Sequence, residues 1–402
     1  MQENNAVISV TGLVTEILND MCLVDAPNHA DENFVLASCD YIKFVLKEIY
    51  GDTLKKVVYD ELLEQLVYQH FGERLYDCPY HFQETEEEKQ ELRDRFLHLK
   101  TVPQPAQRSD AWYIYRNGRI TASDAAGVFE KNAFKTRTLF LQEKIDPASV
   151  PGFGINDIVL HGIRLEDSIC NIYQHRMGNK VEEFGCIPHD TLPYLGASPD
   201  GIDTEGVMLE IKCPYSRPIY ECPPIYYWYQ IQLQLEVADL NRCDYVECEL
   251  EVISEEKYTE LMKSDLDRYR YETGCLVEYY DEKLGKIGHS HAPFGMRRSV
   301  TKAWGEDEAE RLINISHMDY RNTLYWVVHR YSCIPIYRNR RWFERATPKF
   351  EAFWKDVLEG REAIRHGKVP KVIAESQERE LNRKPRVKKP NVCLLLSDSD
   401  EE

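Results

Sequence analysis

Apolar positions in the first part of the chain recur at helical spacing. Over Asp40–Tyr50 and Thr53–Phe71 they fall three and four residues apart, with Leu54, Val57, Val58, Leu62 and Leu66 as the clearest stripe of an amphipathic helix. An acidic run, ETEEEKQEL, then opens a further helix that the pattern ends near Lys100. TVPQPAQ has two prolines and no apolar period, and reads as a linker. From Ser109 to about Gly367, helical and strand patterns alternate without an internal repeat, which predicts an α/β domain. Within it, Asn156–Met177 is helical in pattern, with Ile158, Ile169, Ile172 and Tyr173 as the buried stripe and Gly178 as the stop. VMLEIKC alternates as a strand does, so Val207, Leu209 and Ile211 face one way and Met208, Glu210 and Lys212 the other. Tyr229–Val237 also alternates strictly, which by period alone predicts a strand. After Pro370 a basic stretch, RKPRVKKP, leads into NVCLLLSDSDEE, too poor in apolar surface to fold alone. The pattern thus divides the chain into a helical region, 1–105, an α/β domain, 106–370, and a disordered tail, 371–402.

Composition adds limits. With 402 residues, 43% hydrophobic and 29% charged, the chain has material for a substantial core. No apolar run approaches the roughly 20 residues that cross a bilayer, and MQENNAVISV lacks a secretory signature. An intracellular, reducing compartment is expected. The 12 cysteines never fall at CxxC spacing, so they read as buried thiols and argue against an iron–sulfur site. The net charge of -18 means that any phosphate-rich partner must be held by a local basic patch.

The candidate chemistry lies around VMLEIKC. SPDGIDTEG, just before it, is turn-rich and of a length to fold YLGAS back alongside, which brings Asp200 beside Glu210. Converging carboxylates repel each other unless a divalent cation lies between them. Hard oxygen ligands suit magnesium or manganese. A lysine beside them, Lys212, orients or deprotonates a water or steadies charge on a phosphate, which completes a minimal kit for phosphodiester hydrolysis. The competing reading is a surface ion pair on a half-exposed hairpin, worth about 0–1 kcal/mol. In WYIYRNGRITASD, Arg116, Arg119, Thr121 and Ser123 set arginines beside hydroxyls and N–H groups at a helix start, an anion pocket or simply a helix N-cap. Trp342, Phe343, Phe350, Phe353 and Trp354 are spaced as core, and His289 and His291 read as loop residues.

GRITASDAAGVF, HGIRLEDSICNIYQHRMG, YLGASPDG, LEIKCPYS and YYWYQIQLQLEV occur in that order, and together they resemble the YqaJ-type viral recombinase family, which includes phage lambda exonuclease. The likeness covers roughly residues 110 to 255 and is weaker to about 360. It implies a restriction-endonuclease-like core of the PD-(D/E)xK superfamily, a central mixed β-sheet flanked by helices, here with an N-terminal helical extension. It implies Asp200, Glu210 and the carbonyl of Ile211 as ligands of Mg²⁺, with Mn²⁺ able to substitute, Glu166 as an added acidic ligand on a helix, and Lys212 as the catalytic lysine. Gln230 matches a glutamine that the family carries on a helix near the metal. This sets the resemblance against the strand period, and a helix is expected. Arg116 and Ser123 match residues that hold a 5′-phosphate, with Arg119 and Thr121 beside them.

The resemblance therefore implies a DNA nuclease, most simply a 5′→3′ exonuclease on double-stranded DNA serving viral recombination or genome processing beside a single-strand annealing protein. Ring-like homo-oligomers occur in the family. An endonuclease or repair-type nuclease on the same core is the alternative, and a non-catalytic DNA-binding scaffold a more distant one. In the tail, Val392–Leu396 followed by SDSDEE resembles a SUMO-interacting motif, Val392–Glu402, with an acidic solubilising tail as the rival reading. A SUMO-binding tail would point to a large eukaryotic DNA virus. RKPRVKK fits a nuclear import signal or a DNA tether. The host cytoplasm, a viral replication site or the nucleus is the expected location.

Overall fold

The computed structural model describes residues 10–25, 32–50, 59–71, 80–150, 157–219, 223–263 and 272–375. The tail from 376 on, with the SUMO-type segment and the basic run, lies outside the described residues, as do Leu54, Val57 and Val58.

Helices α1 (Val10–Asp25), α2 (Glu32–Tyr50) and α3 (Asp60–Phe71) form the first unit. Their apolar stripes meet in a cluster that includes Val14, Leu18, Ile42, Leu46, Leu62 and Leu66, so the helical periodicity of this region reflects real burial. Gln65 on α3 continues a strand edge of the following domain: its Nε2 donates to Pro335 O at 3.2 Å and its Oε1 accepts from Tyr337 N at 3.2 Å. The acidic run forms α4 (Glu86–Thr101), begun by a capping box between Thr85 and Glu88. Phe96 and Leu99 of α4 are buried with the α/β core, not with α1–α3, so the change in packing partner precedes the proline-rich linker.

After the linker come α5 (Asp110–Asn117), β1 (Ile120–Thr121), a 3₁₀ turn (Ala122–Asp124), α6 (Ala125–Val128) and α7 (Arg137–Ile145). They are followed by α8 (Asp157–Met177), β2 (Val181–Glu182), β3 (Ile187–Pro188), β4 (Leu195–Ala197), β5 (Gly201–Asp203) and β6 (Met208–Lys212). The rest comprises α9 (Ile225–Ala238), β7 (Arg242–Ile253), α10 (Glu255–Lys263), β8 (Thr273–Asp281), β9 (Lys286–His291), α11 (Arg298–Ile313), β10 (Met318–Tyr337) and α12 (Arg340–Arg365). The fold is α/β as expected: a seven-stranded mixed sheet, β2-β5-β6-β7-β10-β8-β9, and a small sheet, β1-β4-β3, flanked by helices. Strands β6 and β7 run parallel, and α9 is the crossover between them. Among the described residues, no helix is long and apolar enough to cross a membrane.

The central strand β6 is covered on both faces. Leu209 and Ile211 pack against Leu165, Ile169, Ile172 and Tyr173 of α8, and Met208 packs on the α9 side, as strand alternation requires. Helix α8 stops at Gly178, whose φ of 77° and N–H bond to Gln174 O form a left-handed cap. Ile158 departs from its expected place in the buried stripe. It is 57% exposed and lines an open pocket with Phe134 and Tyr215.

Two strand expectations change. Tyr229–Val237 is helical, within α9, so the resemblance prevails over the period. The helix is enclosed nearly all round, with Gln232 and Gln234 buried beside Ile231, Leu233 and Leu235, so burial leaves no 3.6-residue signal in its sequence. YLGAS does not fold back on β6 either. Its strand β4 pairs with β1 and β3, and the antiparallel neighbour of β6 is β5. Pro199, which has no N–H for a ladder, lies in the step from one sheet to the other and leaves Asp200 at the mouth of β5. His289 and His291 are also placed differently, on β9, bonded to Glu278 and Ser168.

Candidate active site

The site grows from the carboxyl end of β6. Glu210 points toward α9 and is fully buried, so the surface ion-pair reading does not hold. Its two oxygens are shared among three donors: Gln230 Nε2 to Oε1 at 2.7 Å, Gln234 Nε2 to Oε2 at 2.7 Å, and Lys212 Nζ to Oε1. Gln230 and Gln234 are one helical turn apart on α9 and so share a face. Asp200 lies across the strand, with Oδ2 accepting from Ile211 N at 2.7 Å. Burial, and then the nearby Glu210, push the Asp200 carboxyl well above the usual carboxylate range against the pull of Lys212. Burial works against the Lys212 ammonium, but Glu210 and Asp200 outweigh it and raise its pKa. The lysine is therefore a firmly held cation, with Tyr227 under its ammonium at 4.7 Å.

Glu166 approaches from α8. Arg108 Nη2 donates to both of its oxygens, at 3.0 and 3.1 Å. Burial raises the Glu166 carboxyl and Arg108 opposes that rise. One cavity of about 210 Å³ is lined by Glu166, Asp200, Glu210, Lys212 and Gln230 together with Arg116 and Ser123. Residues expected to hold metal and residues expected to hold phosphate thus open on the same space.

Arg116 is fixed from several sides. Its Nη2 donates to Ser123 Oγ at 2.9 Å and to Thr121 Oγ1 at 3.3 Å, and its guanidinium lies 4.2 Å over the Trp112 ring. Thr121 is buried and does not line the cavity. Its N–H and hydroxyl donate to Asp124 Oδ2 at 2.8 and 2.7 Å, so it anchors the turn. Asp124 also pairs with the buried Lys144 at 2.8 Å. Although burial opposes it, Lys144 and then Arg116 hold the Asp124 carboxyl below its ordinary range. Arg119 turns away from the cavity and stacks on Tyr115 at 3.7 Å, with Nη1 donating to Tyr115 O. Gly196 on β4 leaves room for it, since a Cβ there would lie 3.0 Å from Arg119 Cδ.

The structure adds residues that the sequence reading missed. Gln234 carried a signal, being four residues after Gln230 on one helix. Ser198, two residues before Asp200, accepts from Trp112 Nε1 at 3.1 Å and lines the cavity. Arg108 directly follows the TVPQPAQ linker and carried no signal.

The donor set tests whether a hard divalent cation belongs here. Asp200 and Glu210 offer carboxylate oxygens on either side of the Ile211 peptide, both on the cavity wall, and hard oxygen donors of this kind suit such a cation. They fit. Glu166 is turned to Arg108, and among the described residues no group of three acidic, histidine or cysteine side chains converges closely enough to hold a metal ion.

The fold and the site together define an α/β domain in which an E-x-K strand and an aspartate at a sheet junction bring two carboxylates and a lysine to one cavity. Residues 111–241 match the model of the YqaJ-like viral recombinase domain. An uncharacterized protein of Acanthamoeba polyphaga mimivirus is 28% identical over 303 residues, 65% of this chain and 54% of its own length. The chain thus spans about half the length of this curated relative. Among solved structures, an alkaline exonuclease from Laribacter hongkongensis is 21% identical, with a TM-score of 0.39, over 64% of this chain and 97% of its own. A phage-related exonuclease from Haemophilus somnus is 11% identical, with a TM-score of 0.34, over 59% of this chain and 92% of its own.

Proposed function

We propose that the protein is a Mg²⁺-dependent DNA nuclease that digests one strand of a duplex from its 5′ end. The observation that carries this reading is the shared cavity, where Asp200, Glu210 and Lys212 face Arg116 and Ser123. Asp200, Glu210 and the Ile211 carbonyl would hold the cation, with Glu166 as a further ligand once it leaves Arg108. When bound, the cation supplies Lewis-acid charge beside the scissile phosphate. Gln230 and Gln234 fix the Glu210 carboxylate, and Lys212, kept protonated, donates to phosphate oxygen and orients the attacking water. Arg116, preorganised by Trp112 and Ser123, seats the terminal phosphate with a planar fork of donors. Recombination or genome processing, beside a single-strand annealing protein, is the role that follows from the family.

The test is a nuclease assay on end-labelled duplex with Mg²⁺, comparing 5′-phosphorylated ends, unphosphorylated ends and a closed circle. Fast release of nucleotides from phosphorylated ends is expected, with the circle left intact. Rapid cutting of the circle would overturn the exonuclease reading in favour of an endonuclease.

A further inference from the structure

We infer that Arg108 and a divalent cation are alternative partners of Glu166, and that Arg108, once displaced, holds a phosphate of the DNA strand. The inference rests on the nuclease reading above and adds a residue to it. Arg108 has φ of 60°, a conformation that residues other than glycine adopt reluctantly. Its neighbours hold it there. Gln107 Nε2 donates to Phe184 O at 2.8 Å and to Pro199 O at 3.0 Å, which ties the loop to the segment carrying Asp200. Ser109 caps α5 by accepting from Trp112 N at 3.2 Å, and its hydroxyl donates to Ala106 O at 2.7 Å.

This loop sends one guanidinium into the wall of the site cavity. The Arg108 and Glu166 side chains are 45% and 29% exposed, so the pair stands at the solvent edge, where a cation or a strand reaches both. Lys212 is bonded to Glu210 and Arg116 to Ser123, whereas Arg108 spends its bonds on Glu166. Opposite charge on Glu166 is what holds Arg108 in place. A divalent ion taking those oxygens removes that attraction and leaves a planar, permanently charged donor beside the phosphate path. By linkage, a phosphate that takes Arg108 also makes Glu166 a better cation ligand, so DNA and cation assist each other's binding.

Calorimetry of the full chain with Mg²⁺ alone, without DNA, tests the competition. Arg108→Gln should bind Mg²⁺ roughly tenfold tighter, the order expected when a competing charge-assisted hydrogen bond is removed. With 5′-phosphorylated duplex and Ca²⁺, the same variant should bind DNA about threefold to tenfold more weakly, with a salt slope smaller by about one. Unchanged or weaker Mg²⁺ binding in a variant that melts like the wild type overturns the competition, and unchanged DNA affinity overturns the phosphate contact. Should Arg108→Gln fail to fold, Glu166→Gln frees Arg108 without touching its loop. In EDTA it should bind duplex more tightly than the wild type, a gain reversed in the Glu166→Gln/Arg108→Lys double variant if the guanidinium fork makes the contact. A gain that persists there overturns it. If neither the wild type nor any variant binds Mg²⁺, the metal-dependent nuclease reading itself has failed, a result distinct from a normal wild-type isotherm that Arg108 does not influence.

Discussion

Glu210 receives three side-chain donors and has no exposed surface, so its charge is both costly to bury and closely compensated. Glu210→Gln keeps the shape but removes the charge, and Mg²⁺-dependent cleavage should fall by about 10²–10³-fold or more in a single-turnover assay. DNA binding should persist. Gln234→Leu leaves one Glu210 oxygen without its donor and should cost about 1–3 kcal/mol in urea denaturation. Asp124 has the opposite character, a carboxyl held down by Lys144 and Arg116 despite burial. Its stabilising contribution is present above the ordinary value of 3.8 and is lost as pH falls through the lower folded value. Asp124→Asn should therefore be less stable than the wild type at pH 7, by about 3–5 kcal/mol for a broken buried pair. That gap should close in denaturation series carried below pH 4. Single residues were unevenly legible. The strand period set Glu210 and Lys212 on one face and the resemblance gave them a role, but the burial of Glu210 did not follow, because a central strand end and an exposed hairpin share that pattern. Arg119 was grouped with Arg116 by proximity in sequence, whereas Arg116, on α5, stacks on Trp112 and Arg119, in the turn after it, stacks on Tyr115.

Elements were legible where a repeat reached solvent on one side. Helices α3 and α8 show this: Leu62 and Leu66 of α3 are buried as expected, as are Ile169, Ile172 and Tyr173 of α8, whose first turn departs. Helix α9 was not, since a helix enclosed by the sheet, α12 and the small sheet has no polar face to set its period. The pairing of β6 with β5 escaped because β5 has only three residues and its turn carries the signal. Gly206 forms that turn, with φ of 83° and a position where a Cβ would lie 2.9 Å from Leu92 of α4. Gly206→Ala should destabilise the fold by about 1–3 kcal/mol and loosen Asp200, read as a lower melting temperature and weaker Mg²⁺ binding.

At the scale of the whole molecule, the helical region and the α/β domain share more than a linker. Besides Gln65, Tyr59 Oη donates to Pro223 O at 2.8 Å and Tyr229 Oη donates to Glu61 Oε1 at 3.2 Å, so α3 steadies the start of α9. None of this was visible in the sequence, because contacts across more than 160 residues leave no local pattern. With a net charge of -18, binding that depends on a few arginines should weaken steeply with salt. The parallel pairing of β6 with β7 has a practical side. The span recognised as the family's domain ends at residue 241, and β7 begins at Arg242. A fragment cut to that span would present β6 as a bare sheet edge, with its N–H and C=O groups open to any neighbouring copy. Such a fragment should precipitate or form ladders of self-paired strands on size-exclusion chromatography. A piece running from residue 10 to 375, which keeps α1 and α2 over the apolar face of α3 and β7 beside β6, should stay dispersed, and its boundaries, not those of the recognisable motif, mark the unit worth expressing.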